Sequence, residues 1–237
     1  MKNLIVSTLV TCALFSTAQA NASVIFDFQE LTDTNMGQIS GTLANGNAFP
    51  LANSGEIAFN SFDWSKSGVS LTASASFAGT GTYSDTYAGA YSAGDNLKSW
   101  AYLDAGSAGL GVCSLGLKGN NQCNPNSDDN VTVNEVLQIT FDQLVSIDFS
   151  QTVFKNDSHN VFSPMLDISL NNGSSWAFMD TSSTLISDSF YFRTNSTPQQ
   201  FYINVLAVAS VPAPASQILF GIALVGFGLT RKLKVNN

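Results

Sequence analysis

Apolar and polar side chains alternate without a break in VSLTASASF, residues 69–77. Successive side chains of an extended strand point to opposite faces, so this period of two places the apolar residues together on one face. The same alternation recurs in four further stretches: 137–141, 145–149, 166–170 and 201–207. The sequence therefore predicts half-buried β-strands along most of the chain.

Turn-forming residues separate these strands. Asn45-Gly46-Asn47, Asn171-Asn172-Gly173 and residues 195–198 combine Asn, Gly, Ser and Pro as tight turns require, and the second of them predicts a hairpin. Shorter apolar stretches add four strand candidates: 24–28, 56–62, 100–103 and 175–179. No helical period of useful length lies between the two ends of the chain. About nine or ten short strands predict an all-β fold, with a single antiparallel β-sandwich of jelly-roll type over residues 23–209.

The first 22 residues have the pattern of a secretory signal peptide. Lys2 supplies a positive start, an apolar stretch covers residues 4–15, and small-residue cleavage sites end at Ala20 and at Ala22. Such a stretch is too short to be a stable membrane span. We expect cleavage after Ala20 or after Ala22, with export of the remaining chain through the inner membrane.

A three-part segment occupies residues 210–237. It begins with a proline-bearing motif, Val211-Pro212-Ala213-Pro214, and an apolar stretch then predicts a transmembrane helix over about residues 215–230. A basic cluster follows, formed by Arg231, Lys232 and Lys234. The predicted helix is roughly 24 Å long at about 1.5 Å per residue, which is short for a hydrocarbon core of about 30 Å. The basic end is expected to stay cytoplasmic.

This arrangement resembles the PEP-CTERM sorting signal of exported bacterial proteins. In that family a Val-Pro-Glu-Pro-like motif precedes a Gly- and Leu-rich helix and an Arg/Lys cluster; Ala213 stands here in place of the glutamate. The resemblance implies that an exosortase-type enzyme processes the tail. The protein would then be anchored transiently in the membrane before it reaches the cell surface or the extracellular space. The alternative is a plain C-terminal anchor.

The exported region resembles an uncharacterised domain found on PEP-CTERM proteins. The matching elements are GLGV at residues 109–112, an acidic turn at 128–131, and the spaced residues Glu135, Leu137 and Phe141. The resemblance implies a β-sandwich, but it brings no substrate and no catalytic residues.

The exported region is strongly acidic. Residues 23–210 contain five basic and seventeen acidic side chains, a net charge of −12. A nucleic-acid-binding protein needs a basic surface, so this composition excludes that class. Direct adhesion to polyanionic polymers is disfavoured as well, unless a divalent cation intervenes.

Two cysteines remain in the exported region. Cys113 and Cys123 flank a Gly- and Asn-rich segment that is typical of a loop. A cysteine pair in an exported chain predicts a disulfide that closes this loop. A catalytic thiol would need a base, and nothing local makes His159, the one histidine, its partner.

Enzyme motifs are absent from the sequence, and we expect no catalytic residues. The best local candidate for chemistry is a calcium site formed by Asp128, Asp129 and Asn130, because Ca²⁺ binds crowded carboxylate and carbonyl oxygens on a turn. The spacing does not match an EF-hand, and the alternative is a solvated acidic turn. No other cofactor is expected.

Aromatic residues offer a possible binding surface, because sugar rings stack on flat aromatic faces. Tyr83, Tyr87, Tyr91 and Trp100 lie in or beside a small-residue loop region, whereas Trp64 and Trp176 suit the core equally well. The leading expectation is a non-catalytic surface or matrix protein that interacts with extracellular polysaccharide or with surface proteins. The alternatives are a purely structural matrix component and a carbohydrate-active enzyme.

Overall fold

The computed structural model describes residues 23–35, 38–49, 55–77, 82–85, 89–92, 98–114, 116–124, 129–179, 184–194 and 199–212. Ser23–Ser210 form one compact unit. The predicted signal peptide and the tail from Ala213 onward lie outside the described residues. In the described part of the chain, none of the helical segments reaches the length and apolar character that a membrane span requires.

The regular structure of the described residues is almost entirely β-strand. They form these strands: β1 (Val24–Asp27), β2 (Ile39–Leu43), β3 (Ile57–Lys66), β4 (Val69–Phe77), β5 (Thr82–Asp85), β6 (Gly89–Ser92), β7 (Trp100–Asp104), β8 (Gly109–Cys113), β9 (Glu135–Asp148), β10 (Val153–Lys155), β11 (Val161–Phe162), β12 (Leu166–Ser169), β13 (Ala177–Phe178), β14 (Thr184–Thr194) and β15 (Tyr202–Ser210). A short helix, α1 (Phe28–Glu30), and a π-helical turn, Leu31–Asn35, follow β1.

Strand β4 coincides with the alternating stretch 69–77. Val69, Leu71 and Ala73 are buried, and the polar residues between them are only half-buried. The strand pairs antiparallel with β3 on one side and β9 on the other. The prediction of an all-β, antiparallel fold is confirmed.

Six strands close into a barrel, in the order β15-β8-β7-β3-β4-β9 and back to β15. The length of β9 makes closure possible. Its first half pairs with β4, with Phe141 opposite Leu71, and its second half pairs with β15, with Ile147 opposite Val208. The predicted sandwich of two stacked sheets is therefore corrected to a closed ring, because one long strand joins the two ends of the sheet.

The remaining strands extend this barrel. Strands β14, β12 and β13 continue outward from β9, whereas β10 and β11 continue from β15. Strand β1 adds to β15 and β2 adds to β3, while β5 and β6 form a separate hairpin. Closure removes the edges of a sheet, so the open edges of the described sheet belong to these added strands. Strands β11 and β13 are the outermost.

The main core fills the interior with aromatic and aliphatic side chains. The ring of Phe26 lies 5.1 Å from that of Trp64, edge to face, and 6.3 Å from that of Phe141. Each fully buried side chain of this size contributes about 1.5–3 kcal/mol. A second, smaller cluster lies on the opposite face of β7, where Tyr102 packs with Ala58 and the two cysteines.

Candidate functional site: an exposed edge surface and a buried polar cluster

An aromatic and charged row crosses the strands at one edge of the sheet. Asp167 on β12 lies opposite Phe178 on β13 and opposite Arg193 on β14. Residues directly opposite each other on neighbouring strands share a face, so the three side chains form one row. Trp176 adjoins this row through Arg193. We call these four residues the edge surface.

The guanidinium group of Arg193 is held from two sides. Its Nη2 and Nε donate hydrogen bonds of 3.0 and 3.2 Å to Oδ2 of Asp167. Its Cζ lies 4.0 Å from the centre of the Trp176 ring, which is a cation–π contact. Such a group keeps a defined orientation while part of it remains accessible to solvent.

The hairpin turn between β12 and β13 positions Trp176. Asn172 and Gly173 both have positive φ, which the predicted Asn-Asn-Gly turn accommodates. A Cβ at Gly173 would lie 3.3 Å from Cζ2 of Trp176, so the indole packs closely over the turn. Asn171 Oδ1 accepts hydrogen bonds from Ser169 Oγ and Ser175 N, which stabilises the loop. The hairpin prediction therefore matches the structure, with a longer loop.

Phe178 is the ring that the edge surface presents to solvent. It is 59 % exposed and lies on the outermost strand β13. Phe178 was not among the predicted aromatic candidates; of those, Trp64 is buried in the core, and Trp100 is half-buried beside the disulfide cluster. The side chains of Tyr83 and Tyr91, and all of Tyr87, lie outside the described part of the structure.

A buried polar cluster lies on the opposite face of the barrel wall from the main core. We define it as Asp104, Asp129, His159 and Tyr202. The hydroxyl of Tyr202 donates a hydrogen bond of 2.5 Å to Oδ1 of Asp129. Nε2 of His159 lies 3.4 Å from Oδ2 of Asp104, and its ring packs edge-on against that of Tyr202. Strands β7 and β15 thus bring together residues from four distant parts of the sequence.

Burial shifts the acidities in this cluster. Burial and, after it, the neighbouring carboxylates of Asp129 and Glu56 raise the pKa of Asp104 to about 8, although a hydrogen bond from Tyr202 opposes them. Burial also raises the pKa of Asp129 to about 6, against the opposing hydrogen bond from Tyr202. The pKa of the Tyr202 hydroxyl is raised, first by burial and then by both carboxylates. Asp104 is therefore held mainly in its neutral form near pH 7.

A second tyrosine extends the cluster towards the disulfide. Tyr102 Oη lies 3.4 Å from Oε2 of Glu56, which also accepts a hydrogen bond from Gln122 Nε2 at 3.4 Å. Burial raises the pKa of Tyr102, with Glu56 as the next contribution. Gln122 lies in the loop that the disulfide closes, so this contact connects that loop to the barrel.

The predicted calcium residues fall at this cluster only in part. Asp128 lies outside the described residues. Oδ1 of Asp129 accepts the hydrogen bond from the Tyr202 hydroxyl. The Asn130 side chain is fully buried, and its Nδ2 donates to Asp157 and Gln200. Within the described ranges, no three His, Cys, Asp or Glu side chains are grouped as a metal site requires.

Cys113 and Cys123 form the predicted disulfide. Their Cα atoms are 5.8 Å apart, and both residues are fully buried against Ala58 and Tyr102. The loop between them is tied to β3 by a hydrogen bond of 2.9 Å from Ala58 N to Asn121 O. Disulfides persist in oxidising compartments, so this bridge indicates an environment outside the reducing cytosol.

The GLGV stretch has a steric explanation. A Cβ at Gly111 would lie 2.1 Å from the carbonyl oxygen of Asp129, and one at Gly109 would lie 2.5 Å from that of Ile203. Glycine is therefore needed on β8 where other backbone segments cross it closely. This close crossing is what brings Asp129 over the barrel wall and next to Tyr202.

The spaced residues Glu135, Leu137 and Phe141 have structural roles. Leu137 and Phe141 are part of the main core. Glu135 is buried, and its Oε2 accepts hydrogen bonds from N and Oγ1 of Thr132 at 2.8 and 3.1 Å. The carboxylate thereby stabilises the turn that leads into β9.

The predicted sorting motif begins directly after the last strand of the barrel. Val211 and Pro212 follow β15 with no intervening residue, whereas Ala213, Pro214 and the basic cluster Arg231, Lys232 and Lys234 lie outside the described residues. Comparison of the chain with protein-family models, with curated proteins and with solved structures found no match. The chemistry of the two sites above is therefore the basis for a functional conclusion.

Proposed function

We propose that the chain is an exported bacterial surface or matrix protein, and that its barrel is a non-catalytic module that binds extracellular polysaccharide at the edge surface. The observation that carries this proposal is the exposed ring of Phe178 beside the Asp167–Arg193 pair. Neighbouring surface proteins are the other class of partner that this surface could serve.

The edge surface combines two features that suit sugars. The apolar face of a pyranose ring packs on an aromatic side chain, which Phe178 presents on an outer strand. Sugar hydroxyl groups both donate and accept hydrogen bonds, and the Asp167–Arg193 pair has an acceptor and several donors next to that ring. A neutral polysaccharide fits the strongly acidic domain better than an anionic one.

Export is supported by the disulfide and by the predicted terminal segments. The signal peptide would bring the chain across the inner membrane, and the C-terminal helix would hold it there until an exosortase-type enzyme acts on the tail. Reporter fusions after Pro212 and after Asn237 test this orientation. We expect opposite sides of the membrane for the two fusions, and the same side for both would contradict it.

Binding is tested on an array of neutral and acidic polysaccharides. The protein should bind without shortening the polymer, and Phe178→Ala and Arg193→Ala should each weaken binding about tenfold or more, which is about 1.4 kcal/mol. Val161→Ala is the matched control, since Val161 is an exposed apolar residue on β11, the other outermost strand. Absence of binding together with self-assembly would favour a purely structural matrix component instead.

A carbohydrate-active enzyme is the second candidate, and the buried polar cluster is the observation in its favour. Two carboxyl groups with raised pKa values, Asp104 and Asp129, suit acid–base chemistry on glycosidic bonds. The Asp104 side chain is only 4 % exposed, so a substrate has little access to it. A binding module is therefore the better-supported function. Cleavage of a polysaccharide by the native protein and its loss in Asp104→Asn would reverse the order.

A further inference from the structure

The first and last strands of the domain, β1 and β15, lie side by side. Val24 on β1 pairs with Val208 on β15, and Ser23 Oγ donates a hydrogen bond of 3.4 Å to the Val208 carbonyl. The predicted signal-peptide sites, after Ala20 or Ala22, and the predicted tail, from Val211, therefore adjoin the same end of the barrel. We call this end, with Ser23, Gly68, Gln143 and Ser210, the exit end.

Gln143 holds the exit end together. Its Nε2 donates hydrogen bonds to Ser210 Oγ at 3.0 Å and to the Gly68 carbonyl at 3.3 Å. Ser210 also lies opposite Val145 on β9. Ser210 is therefore held by β9 and, through Gln143, by the turn between β3 and β4. The point at which the chain leaves the barrel is fixed by these contacts.

Two large apolar side chains are exposed beside this position. Leu144, which is 49 % exposed, immediately precedes Val145 on β9. Ile186 is 55 % exposed and lies opposite Ser146 on the adjoining strand β14. Neither residue belongs to the edge surface, and the barrel core does not require them.

The chain between β15 and the predicted membrane helix is very short. Four residues, 211–214, separate Ser210 from the predicted start of the helix at 215. Five Cα-to-Cα steps span at most about 17 Å, so the exit end cannot move farther than this from the membrane interface. We propose that the exit end rests on the lipid surface, with Leu144 and Ile186 in contact with the headgroup region. This inference rests on the anchoring step of the proposed function.

The charges beside these residues indicate which lipid surface fits. Asp142 and Asp188 are exposed next to Leu144 and Ile186, in a domain whose net charge is −12. Anionic lipids would repel these carboxylates. The attraction between the exit end and the membrane must therefore come from the contact of Leu144 and Ile186 with lipid. The surface that fits is zwitterionic.

Site-specific fluorescence tests the contact in the full chain. Ile186→Cys and, as matched control, Val161→Cys are each labelled with an environment-sensitive fluorophore after reconstitution into phosphatidylcholine vesicles; Cys12→Ser is included in both. Val161 is an exposed β-branched residue opposite Lys155, which pairs with Tyr202 at the far end of β15, about 26 Å from Ser210 at about 3.3 Å per residue. Spin-labelled lipid should quench the label at 186 several-fold more strongly than the label at 161.

Flotation of the vesicles distinguishes a failure of the membrane anchor from a failure of the lipid contact. A chain that does not float with the vesicles overturns the anchor, and the contact with it. A chain that floats with equal quenching at both positions overturns the contact alone. A flexible insert of about ten Gly and Ser residues between Pro212 and Ala213 removes the short tether. Quenching at 186 that survives this insert supports a true lipid contact, whereas its fall to the level of 161 refutes it.

Discussion

Nε2 of His159 lies 3.4 Å from Oδ2 of Asp104, a carboxyl group that is almost completely withdrawn from solvent. This contact links the turn after β10 to the end of β7. It belongs to a cluster in which burial makes ionisation of Asp104 costly. The stability of the domain should therefore depend on pH in a direction opposite to that of an ordinary surface carboxylate.

We predict that the free energy of unfolding falls as the pH rises from about 4 to about 8. The pKa of Asp104 is about 8 in the folded protein and 3.8 in the reference state, so the folded state favours the neutral acid. That contribution is fully present below the unfolded pKa and is lost as the pH passes the folded pKa. Asp104→Asn should raise the Tm by several degrees at pH 8 and change it little at pH 4, as measured by thermal denaturation.

Asp148 is a control of opposite sign. Its pKa is lowered, first by a hydrogen bond from Ser150, so its contribution is present at neutral pH and is lost as the pH falls. Asp148→Asn should reduce stability at pH 7 and leave it unchanged at low pH. Parallel pH profiles for the two variants would contradict the assignment of the slope to Asp104.

Removal of the disulfide should destabilise the domain by roughly 2–3 kcal/mol, because the open loop regains its freedom in the unfolded state. The test is urea denaturation of the Cys113→Ala, Cys123→Ala double variant without reductant, compared with the unsubstituted protein. Mass spectrometry of a non-reduced digest should first show the 113–123 bridge in the native protein. An unchanged denaturation midpoint would mean that the loop is held by its other contacts, such as the Ala58–Asn121 hydrogen bond.

Gly111→Ala should destabilise the domain by about 1–3 kcal/mol, as overpacking does. The added Cβ would lie 2.1 Å from the carbonyl oxygen of Asp129, and a backbone atom on a crossing segment cannot move aside easily. Gly119→Ala is the matched control, because a Cβ there meets nothing within 4 Å. Chemical denaturation of both variants measures the difference, and equal stabilities would show that the crossing segment yields.

Calcium should leave the melting temperature unchanged. Oδ1 of Asp129 accepts the Tyr202 hydroxyl, the Asn130 side chain is fully buried, and the described residues contain no group of three His, Cys, Asp or Glu side chains that could hold a metal ion. Thermal melts with Ca²⁺ and with EGTA at matched ionic strength give the answer. A stabilisation that Asp128→Asn with Asp129→Asn abolishes would support the predicted calcium site instead.

The sequence predicted strands best where one face is buried. Strand β4 alternates strictly and was found to the residue. Strand β14 was not predicted. Its first half is largely exposed, and the three consecutive buried residues that follow, 190–192, do not alternate with polar ones. Strand β9 was predicted as two strands, since Gln143 stands where the alternation requires an apolar residue and the apolar Leu144 is exposed. Barrel closure depends on the pairing of β9 with both β4 and β15, and such pairing leaves no trace in local periodicity.

The candidate sites, too, were predictable only where a local feature of the sequence marked them. The disulfide was predictable because residues 23–210 contain only two cysteines. Asp104 and His159 are 55 positions apart, and Asp167 meets Arg193 only through the register of β12 and β14. No short motif marks such contacts. The one signal available for the edge surface was Trp176 close to the Asn-Asn-Gly turn, which a core position explained equally well.

The pairing of β1 with β15 has a consequence for how the molecule forms. A ribosome makes β1 first and β15 last, so the earliest strand waits for a partner from the opposite end of the domain. β15 also pairs with β8, β9 and β10, and until it is present the ring cannot close. Contacts between such distant parts of a chain form slowly because a large loop must be closed before they stabilise anything. The ring therefore closes only once β15 has been made, and the unfinished chain needs protection from aggregation for as long as this strand is missing.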